Sequence, residues 1–250
     1  MAENKEPKQV GVDRKNPRRN NKVCEFLPYS GKEAFKRLRT NVLIALEGLE
    51  KKGCKIVGVT SAQPSEGKSS VSVNLAFTLA ELGKSVLLMD CDMRRPAIHE
   101  VVSTSLTPGL SDVLVGSANL NEAVVKYRST VDGTAFLMLP GGEIPDHPSE
   151  LLNSDRFQKL LDAVSANFEY VIVDLPPVNA VVDAVNVSRL VDGMLVVIRE
   201  DHCPRFVLSD CMDQLKFAKA NVLGFVLNGC VDGAGKRYQY GSQYYKKSEK

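Results

Sequence analysis

A loop between a strand and a helix restricts the fold of this chain more than any other segment. Residues 61–70 read Ser-Ala-Gln-Pro-Ser-Glu-Gly-Lys-Ser-Ser; they follow the apolar run Lys55–Thr60 and open a stretch of helical character that Gly83 closes. Such a strand–loop–helix unit brings the first amides of the helix, and the positive end of its dipole, to one point. The sequence therefore predicts an α/β protein with an anion-binding loop at the start of this helix.

The side chains of this loop suit a nucleotide phosphate. Gly67 lets the backbone approach closely, Lys68 can reach the β and γ phosphates, and the Ser69 hydroxyl can bind Mg²⁺. Ala62 stands where the usual phosphate-loop pattern has a glycine, so a Gly-Lys-Ser that only caps a helix is the alternative interpretation. The predicted nucleotide-binding residues of the loop are Ser65, Glu66, Gly67, Lys68, Ser69 and Ser70.

Two further apolar runs end in carboxylates. Asp90 and Asp92 close the run that starts at Ser85, and because they are two residues apart in extended backbone they point to the same side. Asp174 ends the run Tyr170–Asp174, and two prolines follow shortly after it. Beside a triphosphate, such carboxylates bind Mg²⁺ through water or accept a proton. The alternative interpretation of each is a solvated turn at the end of a strand.

Strands and helices alternate along the rest of the chain. The predicted helices are Lys32–Glu47 (after a capping box at Ser30–Glu33), Lys68–Leu82, Leu110–Leu114, Leu120–Tyr127, Glu150–Ala166, Val181–Leu190 and Phe206–Lys219, and the predicted strands are Lys55–Thr60, Ser85–Asp90, Ala135–Leu139, Tyr170–Asp174, Gly193–Arg199 and Val222–Asn228. This order predicts a mostly parallel sheet covered on both faces, with ligands bound at the carboxyl ends of its strands. All three motifs lie at such ends.

The two ends of the chain differ in composition from its centre. Residues 1–28 are polar and basic, and a flexible solvated arm is favoured over a surface for anionic lipid or nucleic acid. Residues 29–229 are predicted to form the nucleotide-binding domain, and residues 230–250 a tail that holds four of the seven tyrosines. The sequence has no signal peptide, no apolar run of about 18 residues and no CxxC pair, so we expect a cytoplasmic protein with reduced thiols.

Together these motifs resemble those of the bacterial tyrosine kinases, cytoplasmic enzymes of capsule and exopolysaccharide synthesis. The resemblance rests on the phosphate loop, a Walker A′ motif at residues 87–94 followed by Arg95-Pro96, a Walker B motif at residues 171–177, and the terminal tyrosines. It implies a doubly wound, mostly parallel sheet of the deviant Walker A type, akin to the Min-type and Par-type ATPases. It also implies ATP and Mg²⁺ as cofactors.

The resemblance assigns a role to each candidate residue. Lys68 and Ser69 would hold phosphate and Mg²⁺, Asp90 and Asp174 would complete the metal site, and Asp92 would accept the proton of the tyrosine. These assignments make Lys68, Asp90, Asp92 and Asp174 the catalytic residues. Asn228, at the end of the last strand, falls where the family binds adenine. The tyrosines that a neighbouring subunit would phosphorylate are Tyr238, Tyr240, Tyr244 and Tyr245.

Two departures from the family pattern bear on these roles. The loop has Ser65 where the family has glycine, which we expect to be tolerated if the φ angle of this serine is negative. The family motif E-x-x-R-x-x-R for self-assembly is matched here by Glu33, Lys36 and Arg39, and a lysine lacks the planar fork of arginine.

The resemblance also implies partners. We expect a homo-oligomer, which would be a ring, a transmembrane polysaccharide copolymerase that activates the kinase and recruits it to the inner face of the membrane, and a cognate phosphotyrosine phosphatase, but no nucleic acid. A Min- or Par-type switch ATPase and a non-catalytic ATP-binding regulator of polysaccharide export are the alternatives. Arg94 and Arg95 either stabilise phosphate charge or neutralise Asp90 and Asp92. The three histidines are isolated and predict no site.

Overall fold

The computed structural model describes residues 7–10, 23–49 and 53–230, with the backbone alone for residues 8–10. In this part of the chain eight strands form one sheet, in the order β1-β4-β5-β3-β6-β2-β7-β8. The strands are β1 (Lys8–Val10), β2 (Lys55–Ser61), β3 (Val86–Asp90), β4 (Val125–Arg128), β5 (Ala135–Leu139), β6 (Tyr170–Asp174), β7 (Gly193–Arg199) and β8 (Val222–Asn228). Only the β4–β5 pair is antiparallel, so the predicted mostly parallel sheet is confirmed.

The central strands consist of almost unbroken apolar residues because both of their faces are covered. Residues 56–61 of β2 and all five residues of β3 are buried. The parallel register sets Asp90 of β3 beside Asp174 of β6, and Asp174 beside Val59 of β2. The three predicted motifs therefore lie together at the carboxyl ends of neighbouring strands.

Helices pack on both faces of the sheet. They are α1 (Tyr29–Glu47), α2 (Lys68–Ala80), α3 (Ile98–Val102), α4 (Leu110–Val115), α5 (Leu120–Ala123), α6 (Pro148–Leu152), α7 (Asp155–Ser165), α8 (Asp183–Val187) and α9 (Arg205–Phe217). Helices α1, α2 and α3 share one apolar cluster with the sheet. Helices α4, α7 and α9 share the other, on the opposite face. This layering confirms the predicted doubly wound architecture.

Several predicted helix ends differ from the observed ones, and three of the differences have a clear physical reason. Helix α1 starts at Tyr29 without a side-chain cap, and its first turn closes where the amide of Lys32 donates to the carbonyl of Pro28 at 3.1 Å. The predicted helix over residues 120–127 ends at Ala123, because the following residues pair with β5 as strand β4. The predicted helix over residues 150–166 is two helices, since the hydroxyl of Ser154 caps α7 by accepting from the amide of Phe157.

The structure also describes a small part of the predicted N-terminal arm. Val23 and Cys24 are buried, and the carboxylate of Glu25 accepts hydrogen bonds from the hydroxyls of Tyr127 and Ser129. This segment therefore packs against the domain. Residues 11–22, which carry the basic side chains Arg14, Lys15, Arg18, Arg19 and Lys22, and the four tail tyrosines lie outside the described residues. None of the helices in the described ranges has both the length and the hydropathy of a membrane span.

Candidate active site

The phosphate loop connects the carboxyl end of β2 to the first residue of α2. Gly67 has a φ of +91°, and a Cβ at this position would collide with the side-chain amide of Asn228, so the loop requires glycine here. Ser65 has a φ of +68°, in the left-handed region. The condition that we set for tolerating serine, a negative φ, is therefore not met: this serine keeps the backbone shape that glycine adopts more easily.

Residues from distant parts of the chain form hydrogen bonds with this loop and hold its shape. Glu66 is buried, and its carboxylate accepts from the amides of Gln63 at 2.9 Å and Arg199 at 3.3 Å. The side-chain amide of Asn228 donates to the carbonyl of Glu66 at 2.8 Å. The ring of His202 contacts the carbonyl of Pro64 at 3.2 Å. The side chain of Glu66 thus shapes the loop rather than lining the cavity.

Two of the residues that support the loop were not predicted from the sequence. Arg199 and His202 lie at the carboxyl end of β7, and Arg199 also donates to the carbonyl of Ser65 at 3.3 Å. Their position after an apolar strand was the only sequence signal, because neither belongs to a motif. Asn228 lies next to the loop, as its position at the end of β8 suggested; its contact with adenine stays a prediction.

Asp174 is fully buried and held by several partners. One carboxylate oxygen accepts from the hydroxyl of Ser69 at 2.6 Å, and the other accepts from the hydroxyl of Ser72 at 2.8 Å. The ammonium of Lys68 lies 3.8 Å from the same carboxylate. Burial raises the pKa of Asp174, and the charge of Lys68 opposes that rise. The first turn of α2 therefore holds this carboxylate directly beneath the phosphate loop.

Lys68 bridges the loop and the second carboxylate motif. Its ammonium lies 2.8 Å from the carboxylate of Asp92, whose other oxygen accepts from the amide of Arg95 at 3.1 Å. Burial by itself lowers the pKa of Lys68, but the carboxylates of Asp174 and Asp92 outweigh it, so the net pKa is raised. Lys68 is therefore charged at neutral pH, and it is paired with the carboxylate that the sequence analysis assigned as the base.

Asp90 has a different environment from Asp92. One oxygen of Asp90 accepts from the amides of Ala97 and Ile98 at 2.9 and 3.0 Å, at the start of α3. Burial and the nearby charge of Asp174 raise the pKa of Asp90. Two of the three carboxyl groups are thus costly to ionise together, since Lys68 is the only cation within 4 Å of them among the described residues.

The donors present fit Mg²⁺ and a nucleotide. The hydroxyl of Ser69 and the carboxylates of Asp90 and Asp174 are oxygen donors, and a divalent cation would balance the excess of carboxylates over Lys68. Within the described ranges no three acidic, histidine or cysteine side chains form a complete metal cage. A site with few protein ligands suits Mg²⁺, which usually takes other ligands from phosphate and water.

A cavity of about 670 Å³ opens above these groups. The phosphate loop, including Ser65, Ser69 and Ser70, forms one side, and residues that follow β3 and β6 form the other. Arg94 and Arg95 lie on this second side. Neither forms an ion pair with Asp90 or Asp92 in the described residues, because Arg94 pairs with Asp183 instead. A volume of this size is typical of small-molecule sites.

The predicted assembly residues are engaged within the chain. Lys36 pairs with Glu33 at 3.1 Å on the surface of α1. Arg39 is turned towards α2, where it donates to the carbonyl of Thr78 at 2.8 Å and lies 3.6 Å from Glu81. Arg39 therefore fastens α1 to α2, and the role of the three residues in self-assembly stays a prediction.

Comparison with known proteins gives consistent matches. A family model described as an AAA domain matches residues 54–221. The tyrosine-protein kinase YwqD of Bacillus subtilis is 34% identical over 209 residues, which is 83% of this chain and 85% of YwqD. The tyrosine-protein kinase etk of Escherichia coli K12 is 36% identical over 211 residues, which is 84% of this chain but 28% of etk. This chain thus spans less than a third of the length of etk.

A solved structure matches over a similar extent. The kinase domain of the Escherichia coli tyrosine kinase ETK has a TM-score of 0.74 and 31% identity, and the match covers 90% of each chain.

Proposed function

We propose that this chain, which belongs to the bacterial tyrosine-protein kinases and to the AAA domain family, transfers the γ-phosphoryl group of ATP to protein tyrosines. One observation carries the proposal: Lys68 of the phosphate loop lies 2.8 Å from Asp92, at the floor of a cavity large enough for a nucleotide and a phenol ring. A lysine for phosphate and a carboxylate for the acceptor proton are the two side chains that the reaction requires.

The reaction needs little covalent chemistry from the protein. The phenol oxygen bonds to the γ phosphorus, the bond from that phosphorus to the bridging oxygen breaks, the phenol proton passes to Asp92, and ADP leaves. Mg²⁺, when bound, neutralises charge on the β and γ phosphates. Ser69 and Asp174 would hold it, with Asp90 beside them.

The Lys68–Asp92 ion pair suits a resting site. While Lys68 is bound to Asp92, its ammonium occupies the carboxylate oxygen that would otherwise be open to the phenol. When Lys68 turns to a bound phosphate, this oxygen becomes free to accept a hydrogen bond from the phenol. In this way nucleotide binding would prepare the base, so that deprotonation of the acceptor follows ATP binding.

The acceptors that we propose are the terminal tyrosines of a neighbouring copy. The tail starts at Cys230, two residues beyond the end of β8, and four of its residues are tyrosines. By family resemblance, the chain would autophosphorylate in a homo-oligomer and regulate capsule or exopolysaccharide synthesis and export. A transmembrane polysaccharide copolymerase would activate it at the inner face of the membrane, and a cognate phosphatase would reverse the modification.

Mixing two variants, neither of which can phosphorylate its own tail, tests both the reaction and its direction. Lys68→Met keeps the tail but lacks the phosphate-binding lysine, whereas the variant with all four tail tyrosines replaced by phenylalanine keeps the site but lacks acceptors. We expect phosphotyrosine on the tail of Lys68→Met only when the two are mixed with Mg²⁺ and ATP. Phosphotyrosine on the wild type but never in the mixture would contradict transfer between copies.

A further inference from the structure

Arg94 is held in place by two side chains from other elements. Its Nε donates to one carboxylate oxygen of Asp183 at 3.0 Å, and its Nη2 donates to the hydroxyl of Ser149 at 2.9 Å. The hydroxyl of Ser149 in turn donates to the other oxygen of Asp183. Ser149 lies in the first turn of α6, and Asp183 is the first residue of α8. Three separate segments therefore fix the orientation of one guanidinium group.

The side chains of Asp183 and Arg94 differ greatly in solvent exposure. The side chain of Asp183 is 1% exposed, whereas that of Arg94 is 41% exposed and lines the cavity. Burying a carboxylate is unfavourable unless its partners are well placed. A buried carboxylate thus holds in place a guanidinium group that is still exposed to solvent. Within the described residues the Nη1 group of Arg94 makes no hydrogen bond, and the side chain of the adjacent Arg95 forms no ion pair.

A fixed guanidinium with unused N–H groups is suited to bind a phosphate. Its planar fork matches two phosphate oxygens, and because it is already oriented it loses little side-chain freedom on binding. The nucleotide phosphates already have the amides of α2 and Lys68 on the opposite side of the cavity. The acceptor tyrosine would therefore bind on the side of the cavity that carries Arg94.

The sequence of the tail indicates which anion would reach this side. Between Asp232 and Glu249 the tail contains no carboxylate, and its other residues are Gly, Ala, Ser, Gln, Lys, Arg and Tyr. The tyrosines occur in close pairs, Tyr238 with Tyr240 and Tyr244 with Tyr245. A phosphate added in an earlier turnover would be the only anion beside an acceptor tyrosine, with a charge of about −1.5 to −2.

We propose that Arg94, positioned by Asp183 and Ser149, binds a phosphotyrosine next to the acceptor, so that the first phosphorylation of a pair promotes the second. This inference rests on the proposed kinase function. Arg94 is the binding residue, and Asp183 and Ser149 are positioning residues. Arg95 adds charge on the same side of the cavity.

Short peptides test the preference directly. The full chain is assayed with a peptide of residues 234–242 in which Tyr238 is the acceptor and Tyr240 is either phosphorylated or replaced by Phe. We expect the phosphorylated peptide to have a KM roughly 10-fold lower, the effect of about one charge-assisted hydrogen bond pair. In Arg94→Ala the ratio of the two KM values should fall to about one, and Ser149→Ala and Asp183→Asn should reduce it partly.

An arginine outside the cavity supplies the control for Arg94. Arg189→Ala, at an exposed arginine outside the cavity lining, should keep the wild-type ratio. Equal KM values for the two peptides in the wild type would overturn the inference. So would an Arg94→Ala variant that retains the ratio but binds ATP more weakly, because that result places Arg94 on the nucleotide.

A binding measurement separates this inference from the proposed function. A fluorescent peptide with Tyr238→Phe and phosphorylated Tyr240 cannot be turned over, so its anisotropy reports binding alone. We expect roughly 10-fold weaker binding to Arg94→Ala than to wild type. Unchanged binding would refute the phosphate site even in an active kinase. Weakened binding in a chain without kinase activity would refute the proposed function and leave the phosphate site standing.

Discussion

Replacing Ser65 by glycine should stabilise the protein, because the loop holds this serine at a φ of +68°. A side chain in the left-handed region costs about 1–2 kcal/mol, and a glycine loses about 0.4–1 kcal/mol through the greater freedom of the unfolded chain. The Ser65 hydroxyl makes no hydrogen bond to another described residue, so little is lost with it. The net gain is about 0–1.6 kcal/mol, with a central value of about 0.8 kcal/mol, which corresponds to about 2–3 °C in Tm for a chain of this size.

Thermal unfolding of the apo protein measures this change, and a second serine supplies the control. Ser209 is exposed inside helix α9, where glycine should cost about 0.5 kcal/mol, so Ser209→Gly should lower the Tm. The two substitutions are chemically identical and differ in the backbone conformation of their sites. If Ser65→Gly lowered the Tm as Ser209→Gly does, the loop would not be strained at Ser65 and the reasoning would be wrong.

Three other perturbations follow from the same contacts. Gly67→Ala should destabilise the fold by about 1–3 kcal/mol and abolish ATP binding, measured by calorimetry, because the new methyl group displaces the loop; retained ATP affinity would contradict this. Tyr127→Phe should cost about 1–3 kcal/mol in urea unfolding, since it removes one of the two hydroxyl donors to the buried carboxylate of Glu25; a change within error would contradict this and show that Ser129 alone satisfies the carboxylate. The pKa values of Asp90 and Asp174 are raised in the folded protein, so these carboxyl groups bind protons more tightly there than in the unfolded chain. The stability that the two groups contribute is therefore present below their ordinary pKa of 3.8 and should fall as the pH rises from that value towards neutrality. Asp174→Asn should flatten that slope in the apo protein, and an unchanged slope would assign it to other groups.

The phosphate loop and the strand ends could be predicted because their signals are local. The residues from Ser61 to Ser70 fix a turn, a glycine and a helix start within one short segment, and no distant residue is needed to recognise them. The burial of β3 and β6 follows from their own apolar runs. Once these strands are parallel and adjacent, Asp90 and Asp174 must meet.

The supports of the site could not be predicted, because they join residues far apart in the sequence. Arg94 and Asp183 are 89 positions apart, and Glu66 and Asn228 are 162 positions apart. Nothing in the sequence near Glu66 distinguishes a side chain that faces the cavity from one that turns inward. Strand β4 was mistaken for helix for a similar reason: its partner β5, rather than its own composition, decides its conformation.

The γ phosphate should go to tyrosine and not to water, and one measurement distinguishes the two. Purified wild type and Lys68→Met should be incubated with Mg²⁺ and ATP, with the copolymerase's cytoplasmic peptide present and absent, and both ADP and phosphotyrosine should be quantified. We expect phosphotyrosine on the peptides of residues 231–250 in the wild type and none in Lys68→Met. ADP formation that depends on Lys68 but yields no phosphotyrosine, even with the peptide present, would contradict it and identify a switch ATPase.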